Sequence, residues 1–223
     1  MDILNITFTE SGNQATLRTD RGYFDMTRAD LMEFLQKFLG EDVRSAVRPG
    51  AELDFLPLFV DDEAEGELEA LTEKLKAIKY ASYILGIGDK SEKQLRTKLK
   101  TKGYSTRAID EAFDVLRRNG YICDERTCKR KCELLANGKL FGRRRIISEL
   151  MAKGYPYSLC EATVDEQEID FEANLALLYE KISKGENLLD WEQKKKISDK
   201  LLRYGYSYDE INCLFDGIIS EDF

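Results

Sequence analysis

The sequence predicts a mainly α-helical protein: a tandem array of three three-helix repeats, preceded by a small β-containing (α+β) N-terminal segment. The strongest observation is a period, because Gly103, Gly154 and Gly205 are 51 residues apart and each follows an amphipathic helix pattern. A fixed period of this size is typical of stacked supersecondary units. The second observation is a change near Leu68, where partial alternation of apolar and polar residues gives way to apolar residues at helical spacing.

The clearest copy of the repeated pattern runs from Ser91 to Gly103. Ser91 and Gln94 have the spacing of a capping box at a helix start. Leu95 and Leu99 lie one turn apart on one face, and basic residues fill much of the remainder. Gly103 stands where a left-handed residue commonly ends a helix. The pattern recurs over residues 146–155 and 197–206, which predicts a middle helix of the same kind in each repeat.

The N-terminal segment has strand signals followed by a helix. Three antiparallel strands are predicted, over residues 3–9, 15–19 and 23–26, with turn residues between them. Thr27 is the predicted N-cap of a helix whose apolar residues continue to Phe38 at helical spacing. Residues 51–60 contain Pro57 and predict either a short edge strand or a loop. The acidic residues 61–67 predict a linker and the best domain boundary.

Capping pairs, apolar periodicity and glycine stops predict three helices in each repeat. We expect an N-terminal extension over 1–66, followed by repeats over 67–124, 125–169 and 170–223. The predicted helices cover residues 68–85, 91–102, 106–119, 125–136, 142–153, 156–166, 170–184, 190–203 and 208–219. A unit of about 50 residues is too small to hold a full core alone, so neighbouring repeats should pack together or at least abut.

Charge is segregated along the chain. Residues 1–75 contain 7 Lys/Arg and 17 Asp/Glu, residues 76–154 contain 20 and 9, and residues 155–223 contain 7 and 16. A basic middle between acidic ends suits a partner that carries carboxylates or phosphates. The alternative is uneven charge on solvated helix faces with no binding role, and the sequence leaves both interpretations open.

The candidate contact residues are cations of this basic middle. Arg143, Arg144 and Arg145 fall in the first turn of the predicted helix 142–153, where each positive charge opposes the helix dipole by roughly 0.3–1 kcal/mol. Contact with phosphates or partner carboxylates would explain that placement; a solvated basic cluster is the alternative. The set predicted to bind a partner or nucleic acid comprises Lys93, Arg96, Lys100, Arg117, Arg118, Lys129, Arg130, Lys139, Arg143, Arg144 and Arg145.

Other chemistry is poorly represented in the sequence. The chain has no histidine, no Walker-type phosphate loop and no carboxylate pair that stands out from the acidic faces, so an enzyme is disfavoured and no cofactor is expected. No apolar run is long enough for a membrane span, and no secretory signal is visible. Together with five cysteines, an odd number, this predicts a cytoplasmic protein with reduced thiols.

Cysteines and tyrosines near the repeats have a structural and a functional interpretation. The spacing C-x4-C-x3-C, which begins at Cys123, lacks the paired C-x2-C of a zinc site, so small apolar packing residues are favoured over metal ligands. A tyrosine follows each glycine stop, at Tyr104, Tyr155 and Tyr206. Their equivalent positions favour packing over stacking on nucleic-acid bases.

Short ordered motifs in the middle of the chain carry a family resemblance. They read Ser91-Glu-x-x-Leu95-x-x-Lys98-Leu99-x-x-Lys102-Gly103, then Ile109, then Leu116-x-x-x-Gly120-Tyr121-Ile122-x-Asp124-Glu125-Arg126, then Gly142-x-x-x-Ile146-x-x-Glu149-Leu150-x-x-Lys153-Gly154. This order resembles the RecX family of bacterial regulators of the RecA recombinase, over roughly residues 75–223 and most specifically over 80–155. The chain departs from the pattern at Cys123, where a second Asp or similar residue is expected, and at Thr127-Cys128, which replaces Phe-Ala.

The resemblance implies a curved array of repeats and a non-enzymatic regulator of RecA, with inhibition as the expected effect. It implies binding along the groove of a RecA filament on single-stranded DNA, with effects on ATP hydrolysis, strand exchange and filament growth in DNA repair, recombination and the SOS response. We expect a monomer that does not bind membranes. The alternative is a helical protein that binds DNA directly without RecA. The sequence leaves open whether RecA is inhibited or stimulated.

Overall fold

The protein folds as the predicted class requires, with helices following one small sheet. The structure, a computed structural model, describes residues 1–39, 47–50, 53, 55–183, 188 and 190–221. It divides into two compact units: unit 1 comprises residues 1–88 and 95–122, and unit 2 comprises 89–94 and 123–223. This division does not test the predicted repeat boundaries, which stay predictions.

The N-terminal sheet is antiparallel, with strand order β3-β2-β1-β4. Its strands are β1 (Asp2–Phe8), β2 (Gln14–Thr19), β3 (Tyr23–Thr27) and β4 (Leu58–Phe59). Alternation places Ile3, Leu17 and Met26 in the core, with no exposed surface. The first three predicted strands are therefore confirmed. In the predicted strand-or-loop segment 51–60, residues 51, 52 and 54 lie outside the described part, and an edge strand forms only at Leu58–Phe59.

Helix α1 (Arg28–Leu39) begins where the sequence predicts, because Thr27 caps it. The Thr27 Oγ1 accepts a hydrogen bond from the Asp30 amide at 3.1 Å and donates one to Asp30 Oδ2 at 2.7 Å. The other carboxylate oxygen of Asp30 pairs with Lys74 Nζ at 2.7 Å, and both side chains are largely buried. This ion pair joins the start of α1 to the next helix along the chain.

Helix α2 (Asp62–Ile87) corrects the linker prediction, because the acidic residues 62–67 form its first turns. Asp61 caps the helix by accepting the Ala64 amide at 2.8 Å, and carboxylates in a first turn favour the helix dipole. Leu68 is buried in the core of the sheet, whereas Ala81 is buried in the core of the helices that follow. One helix therefore serves both cores. Among the described residues no helix is both long and apolar enough to span a membrane.

Three helical cores follow, each built from three helices. The helices are α3 (Glu92–Lys102), α4 (Thr106–Arg118), α5 (Asp124–Glu133), α6 (Arg143–Ala152), α7 (Tyr157–Glu166), α8 (Phe171–Ser183), α9 (Trp191–Arg203) and α10 (Tyr208–Glu221). The first core combines the end of α2 with α3 and α4, the second combines α5, α6 and α7, and the third combines α8, α9 and α10. Their apolar positions are in register at the 51-residue period: Leu95, Ile146 and Ile197 are each fully buried.

Helix ends agree with the predicted signals, with small corrections. The glycine stops after α3, α6 and α9 have φ of +98°, +93° and +97°, as left-handed helix ends require. Ser207 and Glu210 form a reciprocal capping box at the start of α10. Pro156 precedes α7 as its N-cap instead of occupying the first turn. Helix α5 continues as a π-helical segment, Leu134–Gly138, past the predicted end at residue 136.

Candidate interaction surface

Two predicted cations of unit 1 pack on the same aromatic ring. The guanidinium carbon Cζ of Arg96 lies 4.4 Å from the centre of the Phe113 ring, and that of Arg117 lies 5.6 Å from it. Arg96 also pairs with Asp110, with 2.5 Å between Nη1 and Oδ1. Because Phe113 is buried between α2, α3 and α4, these arginines contribute to helix packing through cation–π contacts and keep their charge at the surface.

The other two predicted cations of unit 1 differ in their availability. The side chain of Lys100 is exposed and has no ion-pair or hydrogen-bond partner within the described ranges. Arg118 is exposed, and its Nε donates to the Asp114 carbonyl oxygen at 3.2 Å. Arg117 pairs with the carboxylate of the same aspartate, also at 3.2 Å. A partner would therefore meet Lys100 without first displacing an internal contact.

Helix α5 of unit 2 carries another exposed cation, Lys129, beside two that are engaged. Arg130 pairs with Asp89, with 3.3 Å between Nη1 and Oδ2. Lys131 Nζ donates to the Asp89 carbonyl oxygen at 3.0 Å, and burial lowers the pKa of this lysine. The Lys129 side chain has no ion-pair or hydrogen-bond partner in the described part of the chain. Its position on α5 therefore leaves its charge open to a partner.

Lys93 and Lys139 are exposed cations near the starts of two middle helices. The side chain of Lys93 lies against Gly154, because a Cβ built on that glycine would stand 3.1 Å from the Lys93 Cβ. Lys139 lies just before α6, with its Nζ 5.5 Å from the centre of the Phe141 ring. Both residues are exposed overall, and part of each long side chain covers packed surface, as long cationic side chains commonly do.

The three consecutive arginines do not form one cluster. Arg143 pairs with Asp165 of α7, and this hydrogen bond raises the pKa of Arg143 and lowers that of Asp165. Arg145 Nη1 donates to the carbonyl oxygen of Arg203 at 2.6 Å. Arg144 is exposed, and the described residues offer it no partner. The first and third arginines therefore hold unit 2 together, and the second points its charge outward.

A hydrogen bond to the carbonyl oxygen at the end of a middle helix occurs twice in unit 2, in the register of the repeat, once from a side chain and once from the backbone. Ser91 Oγ donates to the carbonyl oxygen of Lys153 at 2.5 Å. The amide of Gly142, 51 residues after Ser91, donates to the carbonyl oxygen of Tyr204 at 2.8 Å. Lys153 and Tyr204 are themselves 51 residues apart. The N-cap position of one middle helix thus satisfies a carbonyl at the end of the next, which would otherwise lack a helical partner.

The backbones approach each other most closely at the second of these contacts, between Gly142 and Gly205. A Cβ built on Gly205 would stand 2.4 Å from the Arg145 Cβ, and one built on Gly142 would stand 2.6 Å from the Gly205 carbonyl carbon. The Arg145 guanidinium also covers the Phe141 ring, with Cζ 4.1 Å from its centre. Arg145 is therefore a packing residue of the contact between α6 and α9, whatever else it binds.

Known proteins match this sequence and this fold. Residues 77–116 match the family model of the first three-helix domain of RecX. A regulatory protein RecX from Clostridium botulinum (strain Alaska E43 / Type E3) is 31% identical over 209 residues, covering 86% of this chain and 92% of that protein. The chain belongs to the RecX family. The regulatory protein RecX of Lactococcus lactis subsp. cremoris (strain SK11) is 30% identical over 192 residues, covering 74% of this chain and 70% of its relative.

The RecX fold is also shared with a solved structure. A crystal structure of regulatory protein RecX superimposes with a TM-score of 0.69, covering 96% of this chain and 98% of the other at 18% identity. At that identity the likeness concerns the fold alone. The resemblance predicted from the motifs between Ser91 and Gly154 is confirmed, and the RecX relatives are regulatory proteins by name.

The cysteines and tyrosines predicted to pack lie in or against the cores of this RecX chain, except Cys123, which is partly exposed. Cys128, Cys132 and Cys160 are fully buried, and burial raises the pKa of the last two to about 12 and about 11. The part of the chain that the structure describes contains no group of three or more ligands that could hold a metal ion. Tyr155 and Tyr206 are buried, so their rings are unavailable for stacking on bases.

Sequence reasoning missed the cations of the third middle helix in this RecX chain. Residues 155–223 are acidic in total, yet five of their seven Lys/Arg lie on α9: Lys194, Lys195, Lys196, Lys200 and Arg203. Averaging charge over the whole segment concealed them. The period reveals them, because Lys195 stands 51 residues after Arg144 and 102 after Lys93, and all three side chains are exposed. The third repeat is therefore basic at the position where the first and second are.

Proposed function

We propose that this protein is a non-enzymatic regulator of the RecA recombinase that inhibits it, and that it binds the RecA filament on single-stranded DNA through a basic helical-repeat surface. Membership of the RecX family supports this proposal, since the relatives are regulatory proteins. The observation that carries the binding mode is the recurrent exposed cation on the middle helices, at Lys93, Arg144 and Lys195. Binding without catalysis needs charge and shape complementarity only, and helical repeats commonly supply such surfaces.

The structure narrows the choice of test residues. Charge reversal at Arg143 or Arg145 would break internal contacts of unit 2, so a lost activity could reflect altered folding. Lys129 and Arg144 are exposed without a described partner, so the double variant K129E/R144E changes surface charge alone. Lys181 is a matched control, because it is an exposed cation of α8 outside the predicted set.

The first test is the single-stranded-DNA-dependent ATPase of RecA, titrated with this protein. We expect wild type to lower the rate, K129E/R144E to require a several-fold higher concentration for the same effect, and K181E to match wild type. Reversing charges within an interface weakens association and its dependence on salt. Equal inhibition by wild type and K129E/R144E would contradict the assigned surface. No effect of wild type on RecA would contradict the proposed function.

The same variants distinguish the proposed function from the alternative, which is direct binding to DNA without RecA. A salt titration of binding to single-stranded DNA, with RecA absent, measures the number of phosphates neutralised. We expect weak binding by wild type at physiological salt. Tight binding with a steep salt slope, lost in K129E/R144E, would favour a DNA-binding protein that acts without RecA.

A further inference from the structure

Helix α9 has an additional turn at its start that the other middle helices lack. Its N-cap is Asp190, whereas the residue in register with the N-caps Ser91 and Gly142 is Gln193. This earlier start places Trp191 in the first turn of α9. It is the only tryptophan of the chain, and 73% of its surface is exposed. Tryptophan has a large apolar surface that is stabilised by burial, so its exposure on a helix is unfavourable unless a partner covers it.

Cations flank this tryptophan on the outward face of α9. Lys195 follows Trp191 by four residues, so it lies on the same face one turn further along. Lys196 is exposed next to Lys195 in the sequence, and Arg203 is exposed at the last position of the helix, about 18 Å along its axis from Trp191. Lys194 is different, because its Nζ lies 5.3 Å from the centre of the Phe215 ring and packs on the third core. The outward face thus combines one large aromatic ring with three exposed cations.

Two features of this face favour a protein as its occupant over a nucleic acid. Glu192 and Asp199 are exposed among the cations of α9, so the charges on this side are of mixed sign. A mixed pattern suits separate charged groups on a protein better than a continuous row of phosphates. Tryptophan and arginine are enriched among the residues that dominate the affinity of protein–protein interfaces, where an aromatic anchor fills a pocket and charges form the rim. Exposed cations around the anchor require carboxylates on the partner.

We propose that the outward face of α9, defined as Trp191, Lys195, Lys196 and Arg203, is a docking surface for a protein that offers an apolar pocket bordered by carboxylates. Trp191 is the anchor, and the cations set orientation and association rate. The proposal deepens the proposed function and rests on it, because the partner tested is the RecA filament. It adds an aromatic anchor in the third repeat to the exposed cations at Lys93, Arg144 and Lys195.

The experiment measures affinity for RecA filaments on single-stranded DNA, by co-sedimentation at several salt concentrations. We expect W191A to bind about tenfold or more weakly than wild type. K195E/K196E should also bind more weakly, chiefly at low salt. Y208A is the control, because Tyr208 is 62% exposed on α10 of the same repeat and should be replaceable without loss. Helical circular dichroism of each variant should match wild type.

Each outcome decides between stated alternatives. If wild type binds filaments and W191A binds equally well, the docking surface is wrong and the proposed function stands. If wild type does not bind filaments, the proposed function fails and this inference fails with it. If W191A loses affinity for bare single-stranded DNA by the same factor as for filaments, Trp191 stacks on bases, and the assignment to a protein partner is overturned. Binding of bare DNA unchanged by W191A, with weaker filament binding, supports the proposal.

Discussion

Replacing Gly205 by alanine should destabilise unit 2 far more than the same change at Gly103 destabilises unit 1. The two glycines hold the same position in their repeats and have nearly the same φ, +97° and +98°. They differ in surroundings. A Cβ on Gly205 would stand 2.4 Å from the Arg145 Cβ and 2.6 Å from its amide nitrogen, whereas one on Gly103 would have nothing within 4 Å. Gly103→Ala is therefore a matched control for the backbone conformation.

The expected magnitudes follow from two separate terms. An alanine held in the left-handed region costs about 1–2 kcal/mol, which should be the whole effect at Gly103. At Gly205 the close approach of backbone and Cβ atoms adds an overpacking cost of about 1–3 kcal/mol. Gly154 is the intermediate case, since its Cβ would meet Ser91 Oγ at 3.0 Å. We expect the loss in free energy of unfolding to be smallest for Gly103→Ala, larger for Gly154→Ala and largest for Gly205→Ala.

Urea unfolding followed by circular dichroism gives the overall loss, and hydrogen exchange resolved by mass spectrometry locates it. The two units could unfold separately, so peptides that cover residues 142–150 and 197–206 should be followed individually. In G205A these peptides should exchange faster, and peptides of unit 1 should keep the wild-type rate. A loss in G205A no larger than in G103A would refute the reasoning, because it would show that the contact with Arg145 relaxes at no cost.

Two further predictions concern buried groups. Lys74→Met leaves the Asp30 carboxylate buried without its cation, so the free energy of unfolding in urea should fall by roughly 3–5 kcal/mol. Lys37→Met is the control and should lower it far less, because the ion pair of Lys37 with Glu67 is exposed to solvent. Burial raises the pKa of Cys132 to about 12, whereas the same thiol in the unfolded chain has a pKa of roughly 8.5. Above about pH 8.5 the unfolded chain therefore loses a proton that the folded protein keeps, so the stability that the buried thiol contributes is complete below about pH 8.5 and is lost as the pH rises towards 12. Stability should therefore fall from about pH 9 upwards, with a shallower fall in C132A; parallel pH profiles would show that another group is responsible.

Much of the fold is readable from the sequence because its signals are local. The period of the glycine stops, the buried positions one turn apart and the capping pairs all lie within single helices or their ends. The acidic stretch 62–67 was wrongly assigned to a linker, because acidic residues are typical both of solvated linkers and of first helical turns. Apolar packing of Ala64 and Leu68 on the sheet decides between the two, and that packing is not local.

The candidate surface is less readable, because charge in a sequence does not reveal its partners. The sequence identifies Arg143, Arg144 and Arg145 equally, and only the fold brings Asp165 and the Arg203 carbonyl to two of them. The cations of α9 were missed for a different reason, since the acidic residues of neighbouring helices outweigh them in any segment total. Counting charge on each predicted helix, in register with the period, would have found them.

The continuity of α2 restricts how the N-terminal segment can act. At 26 residues this helix is about 39 Å long, and its two ends are anchored in different cores of unit 1. A continuous, stiff helix, instead of a flexible linker, therefore connects the sheet to the first three-helix core. The carboxylates of Asp62 and Glu63 cannot sweep across a range of positions as charges on a flexible arm do. Any influence they exert on a partner of the first repeat must come from a fixed place, and shortening α2 would change that place in steps of about 1.5 Å and 100° per residue.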